Sequence, residues 1–144
     1  MTQPIEDILA DFDFLDDWED RYRYIISLGN ELNPMSDGAH NTQNKVQGCV
    51  SQVWLETEMG RGDDPVIGFR GDSDAHIVRG LVAIVLALYS GRRASEILAV
   101  DPEAVLKRLG LDEHLTPQRA NGLRSMIRRI RHEAEHALAP QASG

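Results

Sequence analysis

The sequence reads GDSDAHIVRGLVAIVLALY from Gly71 to Tyr89, and this is the most apolar segment of the chain. A helix that is apolar on nearly every side is stable when other elements surround it, so we expect a central buried helix from Ala75 to about Tyr89. Its uninterrupted apolar run, Leu81 to Tyr89, is under half of the roughly 20 residues that a membrane span requires. Three polar residues directly before the helix are favourable N-caps: Asp72, Ser73 and Asp74.

A β-hairpin is predicted just before this helix. Apolar and polar side chains alternate with a period of two between Val50 and Met59, which indicates a strand. A turn over Gly60 to Pro65 leads into a second strand, Val66 to Arg70, and so short a connection favours antiparallel pairing. A short strand near Lys45 to Gln47 is a further candidate in front of both.

Two helices are predicted at the N-terminal end, with Asp16 or Asp17 as the cap of the second. The polar segment from Asn33 to Asn44 then indicates a loop. The apolar positions that recur at helical spacing are Ile5, Ile8, Leu9 and Phe12 in the first helix, and Trp18, Tyr22, Ile25, Ile26 and Leu32 in the second.

The C-terminal third is predicted to be helical as well. Short helices are expected over Ser95 to Val100 and over Pro102 to Leu109, with Gly110 ending the latter. A long helix should begin with Thr116 as its N-cap and Pro117 in its first turn. Its apolar stripe consists of Leu123, Met126, Ile127, Ile130, Ala134 and Leu138.

The composition describes an ordinary globular protein. A chain of 144 residues fits one domain, which we expect to span 1–144 with its core over 5–138 and a frayed tail at 139–144. The net charge of −8 disfavours nucleic acid and anionic membranes as partners. The acidic start resembles no secretory signal, and one cysteine forms no internal disulfide, so we expect a cytoplasmic protein.

The lone cysteine, Cys49, is the first candidate for chemistry. It follows Gly48 in a polar segment at the junction between loop and strand, which is unusual for a core cysteine. Gly48 permits a positive φ angle, and Lys45 is a candidate for favouring the thiolate. A purely structural cysteine is the alternative, because free cysteine is among the most buried residue types.

Other motifs carry weaker signals. His132 to His136 reads HEAEH, which matches the HExxH pattern of zinc peptidases, but too little chain follows it to supply a third ligand. These histidines are therefore expected to border the core, and no metal site is predicted. The arginines of the same helix are expected to form a solvated face: Arg124, Arg128, Arg129 and Arg131. The sequence has no phosphate loop, CxxC pair or GxSxG motif, so no cofactor of its own is expected.

Several separated segments, taken in order, resemble the SufE family of cysteine desulfuration proteins. They are QGCVSQVW at 47–54, GDSDA at 71–75, IVRGL at 77–81 and HLTP at 114–117. The resemblance implies an α+β fold in which a small antiparallel sheet packs against helices, a sandwich shared with iron–sulfur scaffold proteins of the IscU type. The predicted order of elements agrees with that fold.

The resemblance also implies a function. Cys49 would accept sulfur as a persulfide from a SufS-type cysteine desulfurase, whose pyridoxal phosphate does the chemistry of sulfur release, and would supply iron–sulfur scaffold proteins. The chain would then be an accessory sulfur-transfer protein rather than an enzyme. Val50 occupies a motif position where glutamine is usual. The residues implied to support the loop or to bind the partner are Gly48, Ser51, Gln52, Asp74 and Arg119.

Of two other interpretations, the first is excluded and the second stays open. A scaffold that holds an iron–sulfur cluster needs several thiolates, which one cysteine per chain does not provide. A regulatory domain could instead dock on a desulfurase through Asp74, Arg119 and the Cys49 loop without carrying sulfur.

Overall fold

The computed structural model describes residues 4–139, and it is an α+β protein. Its elements in chain order are α1 Ile5–Phe14, α2 Trp18–Asn30, β1 Val53–Met59, β2 Val66–Ser73, α3 His76–Tyr89, β3 Arg92–Arg93, α4 Ala94–Ala99, α5 Pro102–Leu109, α6 Leu111–His114 and α7 Pro117–Leu138. The expected fold class is confirmed.

Helix α3 lies at the centre of the core, as its apolar sequence predicts. Nearly all of its residues from Val78 onward are buried, and it packs against α1, α2, α7 and strand β2. Glycines allow α2 and α3 to approach closely: a Cβ added at Gly80 would overlap the Ile25 carbonyl oxygen, and one at Gly29 would lie 2.7 Å from the Gly80 nitrogen. The close approach of these two backbones requires glycine on both helices.

The sheet is antiparallel in the order β1-β2-β3. The predicted hairpin is confirmed, with Val53 opposite Ser73 and Met59 opposite Ile67. However, β1 begins at Val53 rather than Val50, so the residues around Cys49 stay in a loop. The predicted short strand near Lys45 is reduced to one bridge, between Lys45 and Trp54.

The predicted capping of α3 is wrong. Asp72 and Ser73 belong to β2, and the N-cap position is Ala75, which makes no side-chain capping bond. The reason is the pairing with β1, which extends β2 through these polar residues to Ser73. Asp72 instead forms an ion pair with Arg79 (3.1 Å).

The remaining helices follow the sequence closely, with some differences. Asp17 caps α2 by accepting the Asp20 N–H (2.8 Å), and Thr116 caps α7. The α7 stripe is buried except for Leu138, which lies near the helix end. Strand β3 and helix α6 were not predicted, because both are too short to show periodicity. Of the predicted tail, 140–144 lies outside the described residues.

Helix α6 leads the chain to the start of α7. The Trp18 ring stacks on the His114 ring with centroids 3.9 Å apart, and the Tyr22 hydroxyl donates to the His114 carbonyl (2.8 Å). These contacts attach helix α2 to the segment that directly precedes α7. Within residues 4–139, no helix is both long and apolar enough to cross a membrane.

Candidate functional site

Cys49 is half-buried against the first half of α7. Its thiol donates a weak hydrogen bond to the Gly122 carbonyl oxygen at 3.6 Å. The sulfur also packs beside the Cα of Gly122, where an added Cβ would lie 3.5 Å from it, in ordinary van der Waals contact. The thiol therefore rests directly on the helix backbone, partly shielded from solvent.

Gly48 determines how the chain reaches this position. Its φ angle is +88°, a conformation that favours glycine. A Cβ at Gly48 would also lie 2.7 Å from the Ser125 hydroxyl oxygen, which is closer than real contacts allow. Both the backbone conformation and the contact with α7 thus require glycine before the cysteine.

The sulfur opens onto a pocket of about 260 Å³ between the Cys49 loop, α3 and α7, which we call the Cys49 pocket. Its inner part is apolar, whereas its rim carries hydroxyl, amide and guanidinium groups. The inner residues include Val78, Leu81, Leu123 and Met126, and the rim residues include Ser51, Thr116, Gln118 and Arg119. A space of this kind beside a thiol has room for a small group bonded to the sulfur.

Asp74 anchors the C-terminal end of the Cys49 loop. Its carboxylate accepts the Gln52 N–H (3.0 Å), and its own N–H donates to the Gln52 carbonyl (3.2 Å). The residue expected to cap α3 therefore fastens the loop to the end of β2. This gives the predicted loop-supporting position a defined pair of contacts.

Arg129 anchors the other end of the loop, a role that was not expected from the sequence. Its guanidinium donates to the carbonyl oxygens of Gln43 (2.7 Å) and Lys45 (3.4 Å) and pairs with Glu133 (3.3 Å). Arg131 likewise donates to the Leu98 carbonyl (3.3 Å). The predicted solvated arginine face is therefore wrong for these two residues. The signal that could have found Arg129 is that it shares a helix face with Ser125 and Met126.

Burial dominates the electrostatics of the thiol. It raises the pKa of Cys49 above the ordinary value for cysteine, and the positive charge of Arg128 lowers it by less. The positive charge that lowers this pKa belongs to Arg128, and Lys45, which the sequence suggested for this role, is not among the groups that move it. At rest the side chain is therefore held mainly as the neutral thiol.

The family model for SufE, the Fe–S metabolism associated domain, matches residues 6–134. The chain belongs to the SufE family. It is 59% identical over 135 residues to an uncharacterized SufE-like protein of Rhizobium meliloti, covering 93% of this chain and 96% of that protein. It is 57% identical over 132 residues to an uncharacterized SufE-like protein of Rhizobium etli, and this match covers 91% of this chain and 89% of that protein.

A solved structure shares the fold of this SufE-family chain. The solution structure of a hypothetical protein from Thermus thermophilus superposes with a TM-score of 0.72 over 93% of this chain and 95% of that one. At 19% identity the likeness concerns the fold alone. Family membership links the chain to iron–sulfur metabolism as an accessory protein.

The residues named from the SufE motifs meet at one place in the structure. Ser51 and Arg119 line the Cys49 pocket, Gly48 contacts α7, and Asp74 holds Gln52. Val50, at the position where the family motif usually has glutamine, is 78% exposed and lies at the edge of the Cys49 pocket. The tertiary structure thus brings together residues that lie up to 71 positions apart, from Gly48 to Arg119.

The HEAEH segment has a different setting. His132 and His136 are not buried on α7, while Glu133 pairs with Arg129. Within the part of the chain that the structure describes, no group of three or more potential metal ligands occurs. Glu133, which would be the base in the peptidase pattern, thus forms an ion pair with Arg129, and Arg129 holds the Cys49 loop.

Proposed function

We propose that this protein accepts sulfur from a cysteine desulfurase onto Cys49 and carries it as a persulfide for iron–sulfur cluster assembly. The observation that carries the proposal is the position of Cys49: the cysteine of the SufE motif lies on an anchored loop at the mouth of the Cys49 pocket. A carrier needs a thiol that a partner can reach and a space that shelters the bound sulfur.

The transfer is a thiolate exchange. The Cys49 thiolate attacks the outer sulfur of the donor persulfide, a new S–S bond forms on Cys49, and the S–S bond of the donor breaks. The donor cysteine leaves as a thiolate and keeps the electron pair of the broken bond, so no external oxidant or reductant is needed. The outer sulfur keeps its proton or charge during the transfer.

The resting geometry suits a thiol that is activated only during transfer. The Gly122 carbonyl accepts a hydrogen bond from the thiol, so ionisation of Cys49 places two electron-rich atoms in contact. Repulsion between them favours movement of the sulfur away from this carbonyl oxygen. A donor that binds the exposed side of the loop, near Val50, would meet the thiolate as it turns outward.

Sulfur loading is the decisive experiment. The protein is incubated with a SufS-type desulfurase and cysteine, and the peptides are analysed by mass spectrometry without reductant. We expect a gain of one sulfur atom on the peptide that contains Cys49 and on no other, and no gain in Cys49→Ser. An unmodified Cys49 beside an active desulfurase would refute the carrier function.

The same variant separates a carrier from a regulator. Desulfurase turnover should rise with the wild-type protein and not with Cys49→Ser, because the acceptor thiol is missing. Stimulation by Cys49→Ser equal to that of the wild type would instead favour a docking protein that carries no sulfur. Circular dichroism of both proteins provides the folding control.

A further inference from the structure

Helix α7 contributes a cation to the neighbourhood of Cys49 through a short chain of contacts. The Arg128 guanidinium donates to the Ser125 hydroxyl oxygen (3.0 Å), and that oxygen lies against Gly48, the residue before the cysteine. Ser125 and Arg128 are three residues apart and so are neighbours on the helix surface. The guanidinium is thus held beside the Cys49 loop at one end, while the residue as a whole is exposed to solvent.

Other charged groups also lie around the loop. The Asp74 carboxylate accepts the Gln52 N–H, the Arg129 guanidinium donates to the Lys45 carbonyl, and Arg119 lines the same pocket as Cys49. Helix α3 presents apolar side chains to the pocket. Burial and Arg128 are the influences that move the pKa of the Cys49 thiol, in opposite directions.

We propose that Arg128 is the cation that stabilises negative charge on the Cys49 sulfur, first as the attacking thiolate and then as the ionised terminal sulfur of the persulfide, and that Ser125 positions its guanidinium. Arginine suits this role because it keeps its charge at every relevant pH. It therefore favours the anion without taking or releasing a proton. The thiolate half stands independently of the proposed carrier function, whereas the persulfide half rests on it.

The thiolate half is tested by alkylation of the protein alone. Cys49 is the one cysteine of the chain, so the pH profile of iodoacetamide alkylation reports this thiol directly. In Arg128→Gln the midpoint should move to higher pH, and the rate near neutral pH should fall roughly two- to fivefold, the effect of one partly screened charge pair. The maximum alkylation rate at high pH, where the thiol is fully ionised, should not change.

Three comparisons separate an electrostatic role from a structural one. Arg128→Lys should keep most of the wild-type midpoint, since it keeps the charge. Arg124→Gln is the matched control: it removes the same charge from the same helix, but Arg124 pairs with Glu103, so the midpoint should stay. Added salt should slow the wild type toward the rate of Arg128→Gln and leave that variant nearly unaffected.

Defined outcomes would overturn the proposal. An unchanged midpoint in Arg128→Gln, or an equal shift in Arg124→Gln, would exclude a specific role for Arg128. A changed maximum rate with an unchanged midpoint would show that Arg128 controls access to the thiol instead of its charge. For the persulfide half, the loaded fraction of Arg128→Gln at equilibrium with a loaded desulfurase should also fall several-fold; an equal loaded fraction would refute that half even if the wild type loads normally.

Discussion

At the scale of single residues, the site depends on a turn and on a backbone contact. Gly48 lets the chain turn against Ser125, and the carbonyl oxygen of Gly122 accepts the hydrogen bond of the thiol. The burial that results raises the pKa of Cys49, so the thiolate fraction of the resting protein increases only at higher pH than for an exposed cysteine. The turn at Gly48 and the contact with Gly122 thus place the sulfur where burial disfavours its ionisation.

Gly48→Ala should uncover the thiol. The positive φ angle costs about 1–2 kcal/mol with any L side chain, and the added methyl group also forces the loop away from Ser125. We expect a stability loss in urea unfolding and faster alkylation of Cys49. Gly91→Ala is the matched control, with φ +84° and nothing within 4 Å of its added Cβ. Gly91→Ala should lose a similar amount of stability from backbone strain, and its rate of Cys49 alkylation should not change. Faster alkylation of Cys49 in both variants would contradict the role of the Ser125 contact.

At the scale of elements, the Cys49 loop is a short segment fastened at both ends. Asp74 holds Gln52 at the end of β2, and Arg129 holds the carbonyls of Gln43 and Lys45 from α7. Between these anchors the loop contacts α7 through Gly48 and Cys49. Movement of the cysteine therefore does not require the sheet or the helices to open.

Asp74→Ala should loosen the C-terminal anchor. The variant leaves the Gln52 N–H without its side-chain acceptor, which should lower stability by about 1 kcal/mol and increase the alkylation rate of Cys49. Asp74→Asn keeps an acceptor oxygen without the charge, so it should remain near the wild type in both measurements. If Asn proves as disruptive as Ala, the role of Asp74 depends on its charge and not on this hydrogen bond.

At the scale of the whole molecule, stability depends on α3 being enclosed. Helix α2 covers one side of α3 through the contact of Gly29 with Gly80, and the sheet and α7 cover others. The walls of the Cys49 pocket come from α3 and α7, so the packing of the core also sets the shape of the site.

Gly80→Ala should destabilise the protein although alanine favours helices. The new methyl group would overlap the Ile25 carbonyl oxygen, and separating the two helices should cost about 2–3 kcal/mol in urea unfolding. Gly122→Ala is the control at a buried position of α7, because its methyl group meets nothing closer than 3.5 Å. It should be neutral or stabilising by up to about 1 kcal/mol. Equal stability of both variants would argue against the tight α2–α3 contact.

Much of the fold could be predicted because the signals are local. Asp17 and Thr116 act as caps where the sequence placed them, and Pro102 to Leu109 forms the expected helix. The role of Asp74 was not predictable in detail, since the same residue can cap a helix or hold a loop. Its partner is 22 positions away, and only strand pairing brings the two together.

The α+β class, the buried central helix and the choice of Cys49 could be predicted without a structure, because apolar periodicity and a short motif are visible along the chain. The role of Arg129 in fastening the loop, the bond between Arg128 and Ser125 beside Gly48, and the contact of the thiol with Gly122 depend on how distant segments pack. These contacts join segments more than 70 residues apart, and their distances follow from how α7 packs beside the loop, which no local pattern encodes.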